Sequence, residues 1–221
     1  MKIKFFRIIS AAVLTGLFFI SCELLCEHEY GKGVVTNASS YPAISTETCT
    51  KCDKEEERNT KVGDTGPAGG IIFYVGSFTL FNNASDTTGT SAHYLEAAPV
   101  DQGTLAWASS SYTSTDIQGT AAAIGTGRKN TAIILAVDDA APAALACKNY
   151  TGGGKTDWFL PSYDEIKKII DQRSSIGNLT GLLWSSTQYS NYYARADYVT
   201  SPADISNSKS NNGVIRAIRA F

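Results

Sequence analysis

The last eight residues, Val214-Ile215-Arg216-Ala217-Ile218-Arg219-Ala220-Phe221, constrain the fold more than any other stretch. Side chains alternate between the two faces of a strand. Here both parities are apolar, so the run predicts one strand covered on both sides and lying inside a sheet, not at its edge. A chain that ends inside its sheet calls for an early partner. The run Ile71-Ile72-Phe73-Tyr74-Val75, β-branched and aromatic after the turn-forming Gly63–Gly70 cluster, is the expected neighbour. Arg216 and Arg219 fall on opposite parities, and each needs a carboxylate or several carbonyls if it is buried.

Between these ends the pattern alternates between helix and strand signals. Asn130 is placed to cap a helix through Ala132, Ile133, Leu135 and Ala136. A second helix is expected from Pro142 to just before Thr151-Gly152-Gly153-Gly154. Ser162 and Glu165 form an S-x-x-E capping box ahead of Ile166, Ile169 and Ile170 on one face. Gly89 to Trp107 reads as loop with short strands. Strands are expected at Leu182-Leu183-Trp184, at Tyr192–Thr200 and at the C-terminus, with an Asn211-Asn212-Gly213 turn before the last. These signals describe an α+β domain over residues 62–221.

The N-terminus carries a different message. Lys2, Lys4 and Arg7 precede an apolar stretch, Ile8 to Ile20, of the length of a signal h-region. It is shorter than the roughly 20 apolar residues that span a bilayer. Phe19-Ile20-Ser21-Cys22 resembles a lipobox, with phenylalanine in place of the usual leucine. The expectation is a lipoprotein signal peptide over 1–21, with diacylglycerol and palmitate on Cys22 holding the protein at the membrane. An envelope location follows, at the bacterial outer membrane or cell surface. Without Lys2, Lys4 and Arg7 the chain holds 16 basic against 21 acidic residues, which argues against a nucleic-acid partner.

Residues 22–61 read as a stem and linker. Cys26-Glu27-His28 and Cys49-Thr50-Lys51-Cys52 supply four soft ligands suited to tetrahedral zinc, so Cys26, His28, Cys49 and Cys52 are candidate metal ligands and structural zinc the one cofactor considered. A disulfide between Cys49 and Cys52, or from Cys26 to either, is the competing reading in an oxidising compartment. Asp53-Lys54-Glu55-Glu56-Glu57-Arg58 reads as a solvated spacer.

A catalytic inventory is thin. His93 is the one histidine of the 62–221 region, and Glu96 and Asp101 are the only neighbours from which an acid–base pair can be imagined. Cys147 sits in an alanine-rich helix and reads as a small apolar residue. The sequence is therefore not expected to encode an enzyme. Ser185–Asn212, by contrast, is rich in Ser, Tyr, Asn and Thr, the mixture that antibody paratopes use. Tyr189, Asn191, Tyr192, Tyr193, Arg195, Tyr198, Asn207, Lys209 and Asn211 are the candidate ligand-binding residues.

Several ordered blocks carry a family resemblance: Gly63-Asp64-Thr65-Gly66-Pro67 through Val75, Leu95-Glu96-Ala97-Ala98-Pro99, Trp107, Ile124-Gly125-Thr126-Gly127, Asn130-Thr131, Tyr150–Gly154, Thr156–Ser162 with Asp164-Glu165, Trp184-Ser185-Ser186, and Arg216–Phe221. Together they resemble the C-terminal domain of the Legionella collagen-like adhesin, over about Val62 to Phe221. The resemblance implies a C-type lectin-like, formylglycine-generating-enzyme-like mixed fold. Such a fold has a small antiparallel sheet that pairs the first and last strands, and two or three helices. It also implies an adhesin recognising extracellular glycan or protein. Collagen repeats are absent, and from Val62 onward bases do not outnumber acids, so neither a collagen stalk nor polyanion binding carries over. The alternative function is a structural or accessory envelope lipoprotein without a dedicated ligand.

Overall fold

The computed structural model describes residues 27–221, which form a mixed α+β protein with three sheets and four helices among the described residues. Cys22 and Cys26 lie outside them, as does the expected signal segment.

Chain order begins earlier than the sequence suggests. Strands β1 (Val34–Asn37), β2 (Ile44–Thr48) and β3 (Glu55–Asn59) make an antiparallel meander. The run read as a solvated spacer is therefore largely strand β3. Its side chains are mostly exposed, and its five ladder partners on β2 hold it. Arg58 adds a tie, pairing with Glu47 and gripping the buried Asp64 at 2.6 and 2.7 Å. The meander is joined to the rest by Val35 N–H to Thr65 O (2.9 Å), Thr65 N–H to Gly33 O (2.7 Å) and Ala43 N–H to Tyr94 Oη (2.8 Å). Val35, Ala43, Ile72 and Tyr94 form the small core between them.

The second sheet contains β4 (Ile71–Leu80), β5 (Thr90–Ala97) and β11 (Ile218–Ala220) in the order β11-β5-β4. Here the expected pairing of first and last strands fails, because β5 lies between them and pairs with both. Sequential strands usually become neighbours, and β4 is joined directly to β5 by the loop at 81–89. Asp86 organises that loop by accepting from the amides of Asn82, Thr88 and Gly89. The segment read as loop with short strands thus holds the central strand of this sheet. Its residues 94–97 are all buried.

The third sheet contains β6 (Thr104–Ala106), β7 (Leu182–Gln188), β8 (Tyr193–Tyr198), β9 (Ile205–Ser208) and β10 (Asn212–Val214), in the order β6-β10-β7-β8-β9. All pairs are antiparallel except β10 with β7. The C-terminal run is therefore not one strand. Val214 closes β10, Ile215-Arg216-Ala217 crosses between sheets, and β11 takes up pairing again at Ile218, which also bridges to Phe159. Burial of both parities follows from this crossover, since Ile215, Arg216 and Ala217 are each fully buried. Asn212-Gly213 belongs to β10, and the turn before it is closed by Asn211 N–H to Ser208 O at 2.9 Å.

Helices α1 (Gly127–Val137), α2 (Pro142–Lys148), α3 (Tyr163–Asp171) and α4 (Arg173–Ile176) cover the sheets. The proline start of α2 and the capping box of α3 stand as read: Ser162 and Glu165 satisfy each other's amides, and Ile166, Ile169 and Ile170 are buried. Asn130 does not cap α1. It lies inside the helix, fully buried, and bonds to Ala121 N–H, Ala121 O and Ser186. Trp107, Trp158 and Trp184 fill the largest core. Each indole N–H donates to a backbone carbonyl, of Ser185, Gly152 and Leu105 respectively, so none is buried unsatisfied.

Candidate functional site

Two places hold candidate functional residues: the tip of the β7–β8 hairpin and the β2–β3 turn. Most of the predicted ligand-binding residues fall at the hairpin tip. Tyr189 and Ser190 donate their amides to Tyr193 O, and Ser190 Oγ accepts from the amides of Tyr192 and Tyr193. These bonds close the turn while the rings stay outside. Tyr189, Tyr192 and Tyr193 are 60%, 55% and 45% exposed. Lys209 N–H donates to Tyr192 O and Ser208 pairs with Tyr193, which brings the β9–β10 turn alongside. Asn207 and Asn211 bond to each other there at 2.9 Å. Tyr189, Asn191, Tyr192, Tyr193, Asn207 and Asn211 therefore gather at one end of the sheet.

Three predicted residues do not join them as expected. Tyr198 is exposed at the other end of β8, about 17 Å along the strand from Tyr193. Arg195 is only partly exposed: it pairs with Asp204 at 2.6 Å and lies between the rings of Tyr163 and Tyr189, so its charge is already engaged. Lys209 is a correction. Its side chain is fully buried, donating to Thr115 O (2.8 Å) and Gln188 Oε1 and lying over the Trp107 ring. Burial brings its pKa down to about 8 against the pull of Asp116. It braces the hairpin from within. The residues that cage it were not singled out from sequence, because they lie 94 and 21 positions away.

At the β2–β3 turn, His28, Cys49 and Cys52 place their ligand atoms within 4.8 Å of one another, with Cys52 Sγ 3.3 Å from His28 Nδ1. Cys49 is buried and Cys52 half-buried, both as free thiols. Burial opposes ionisation of Cys49. The amide of Lys51, the His28 side chain and the amides of Cys52 and Glu29 outweigh it and bring its pKa down to about 6. Three of the four predicted ligands are thus together, and Cys26 lies outside the described residues.

The imagined acid–base group is dispersed. His93 Nδ1 lies 3.0 Å from Ser77 Oγ, with its ring stacked on Tyr41 at 4.0 Å. Glu96 is buried, accepts from the amides of Ala68 and Gly70, and pairs with Arg219 at 2.9 Å. Asp101 pairs with the fully buried Arg216 at 2.7 Å. Both arginines have therefore found the carboxylates their burial requires, and Arg219 also takes Asp157 at 2.6 Å. Cys147 is buried among apolar groups, which push its thiol well above the ordinary range.

The blocks that carry the family resemblance meet in these internal networks. Glu96 and Arg219–Asp157 tie the 63–70 turn to β5, β11 and the 156–162 segment. Gly125 and Gly127 press against Thr79 and Glu165, where a Cβ has no room; Gly125 also has a φ of +91°, which favours glycine. Comparison with protein-family models and with characterised proteins gives no match.

Proposed function

We propose that this chain is a lipid-anchored bacterial envelope protein that binds an extracellular glycan or protein through the tip of its β7–β8 hairpin, in the manner of an adhesin. One observation carries the reading: three tyrosines, Tyr189, Tyr192 and Tyr193, stand exposed on a turn closed by backbone bonds to Tyr193 O and braced at its base by buried Lys209. Large rings held out from a rigid support offer broad amphipathic contact at low entropic cost, and the flanking Asn191, Asn207 and Asn211 offer hydrogen bonds around them. None of the three rings belongs to the buried core, and only Tyr189 has a packing partner, the Arg195 guanidinium over its ring. The signal-like N-terminus and Cys22 support display outside the cytoplasm, and the block resemblance to the adhesin domain supports the class of partner.

The test is an array of glycans and matrix proteins probed with the detergent-solubilised lipoprotein and its Tyr189→Ser/Tyr192→Ser/Tyr193→Ser variant. Binding by the parent that falls at least about tenfold in the variant, at unchanged thermal stability, is expected for a rim made of energetic anchors. A parent that binds nothing, or a variant that binds equally well, removes the reading.

A further inference from the structure

We propose that His28, Cys49 and Cys52 hold a structural zinc ion that clasps the N-terminal approach of the chain to the β2–β3 turn. The inference stands apart from the binding role of the hairpin, since no residue is shared.

Two backbone arrangements bring the ligands together without any metal. On one side, the Cys49–Lys54 turn is wound around its first cysteine. Cys49 N–H donates to Lys54 O (2.8 Å), Asp53 N–H returns to Cys49 O (3.1 Å), and Asp53 takes a φ of +58° to close the loop. The Lys51 amide points at Cys49 Sγ (3.4 Å), an N–H···S contact that stabilises a ligating thiolate. On the other side, His28 is delivered by the strand-like pairing of Tyr30 with Cys49 and by Thr50 N–H to Glu29 O (2.8 Å). Its ring stacks on Tyr30 at 5.7 Å, which fixes its orientation, and a Glu29–Lys51 ion pair at 2.9 Å closes the outer side.

The donor chemistry selects the metal. Two thiolates and an imidazole suit zinc, whereas calcium and magnesium take oxygen ligands. Zinc takes both cysteines as thiolates, and the charges balance in a neutral Zn(Cys⁻)₂His unit. Tetrahedral zinc has room for one more ligand. Cys26, two positions before His28 in sequence, carries a donor of that type. A clasp at these residues sits only a few positions after Cys22, so it would shorten the free tether between a lipid anchor and the folded body.

The test uses full-length protein purified in detergent with its thiols reduced, loaded with cobalt and then titrated with zinc. The expected result is about one metal per chain, with the visible bands of tetrahedral cobalt and a near-ultraviolet thiolate-to-cobalt band, both abolished by zinc. His28→Ala and Cys52→Ser, at half-buried positions, should lower zinc affinity at least about tenfold while circular dichroism stays unchanged. Cys26→Ser should weaken the thiolate band by about a third, as three thiolates become two; an unchanged band removes Cys26 from the set. The proposal is overturned if reduced protein takes up no metal, or if His28→Ala and Cys52→Ser bind as the parent does. It is equally overturned if protein drawn from the envelope without reductant carries Cys49 and Cys52 as a disulfide, read from the masses of alkylated peptides.

Discussion

Glu165 shows how much a single side chain does here. Its carboxyl accepts from the amides of Ser162 (2.6 Å) and Gly125 (2.8 Å), which fixes the start of α3 to the loop ahead of α1. Complete burial nevertheless raises its pKa to about 7, the amides opposing the rise. A carboxyl raised in the folded state binds its proton where the unfolded chain has lost it. Its contribution is therefore full below the unfolded value near 4.5 and is lost as pH rises through about 7. Glu165→Gln should flatten that slope. Chemical denaturation at about pH 5 and about pH 8 should show the parent losing up to about 3 kcal/mol through this group, and the variant much less. An equal pH dependence in both proteins contradicts the assignment. At this scale local signals were readable. The capping box spans four residues, so Ser162 and Glu165 could be read directly. The place of Lys209 could not, because nothing near it in the chain marks it as buried, and its partners come together only on folding.

Among elements, the C-terminal run carries the clearest lesson. Apolar residues on both parities correctly signalled burial on two sides, and the expected carboxylates for Arg216 and Arg219 are present. The periodicity could not show that residues 215–217 leave one sheet for another. A crossover and a doubly covered strand bury the same side chains. The N-terminal meander escaped notice for a different reason. Glu55–Asn59 has the composition of a solvated segment, and it is a strand because its backbone ladder and Arg58 hold it, not because it buries a face. Strand β5 likewise lacks alternation, since Tyr94 to Ala97 are buried on both sides. At the crossover, Arg216 donates to Asp101, Ala98 O (2.8 Å) and Asn178 O (2.9 Å), so the stretch after β5 and the loop at Asn178 both depend on one guanidinium. Asp101→Ala leaves that charge without a carboxylate. Because Asp101 is partly exposed, the expected loss lies at the lower end for a broken buried pair, about 3 kcal/mol, measured as a fall in denaturant midpoint with unchanged m-value. A loss under about 1 kcal/mol would show that the carbonyls alone suffice.

For the molecule as a whole, the blocks most legible in sequence turn out to build its frame, while the proposed recognition surface lies in its least patterned segment. Gly127, which admits Glu165, the turn that seats Glu96 and the tryptophans that fill the core explain why those blocks take the form they do. The hairpin tip is governed by composition instead, so sequence could point to the region but not to which of its members stand outward. Among the described residues no helix is long and apolar enough to cross a membrane. The most direct measurement is protease treatment of intact cells expressing the parent and a Cys22→Ala variant, with palmitate labelling of both. The parent is expected to incorporate label and to be cut on unbroken cells, and the variant to do neither. A parent that is unlabelled, or that resists protease until the envelope is disrupted, contradicts the proposed surface display.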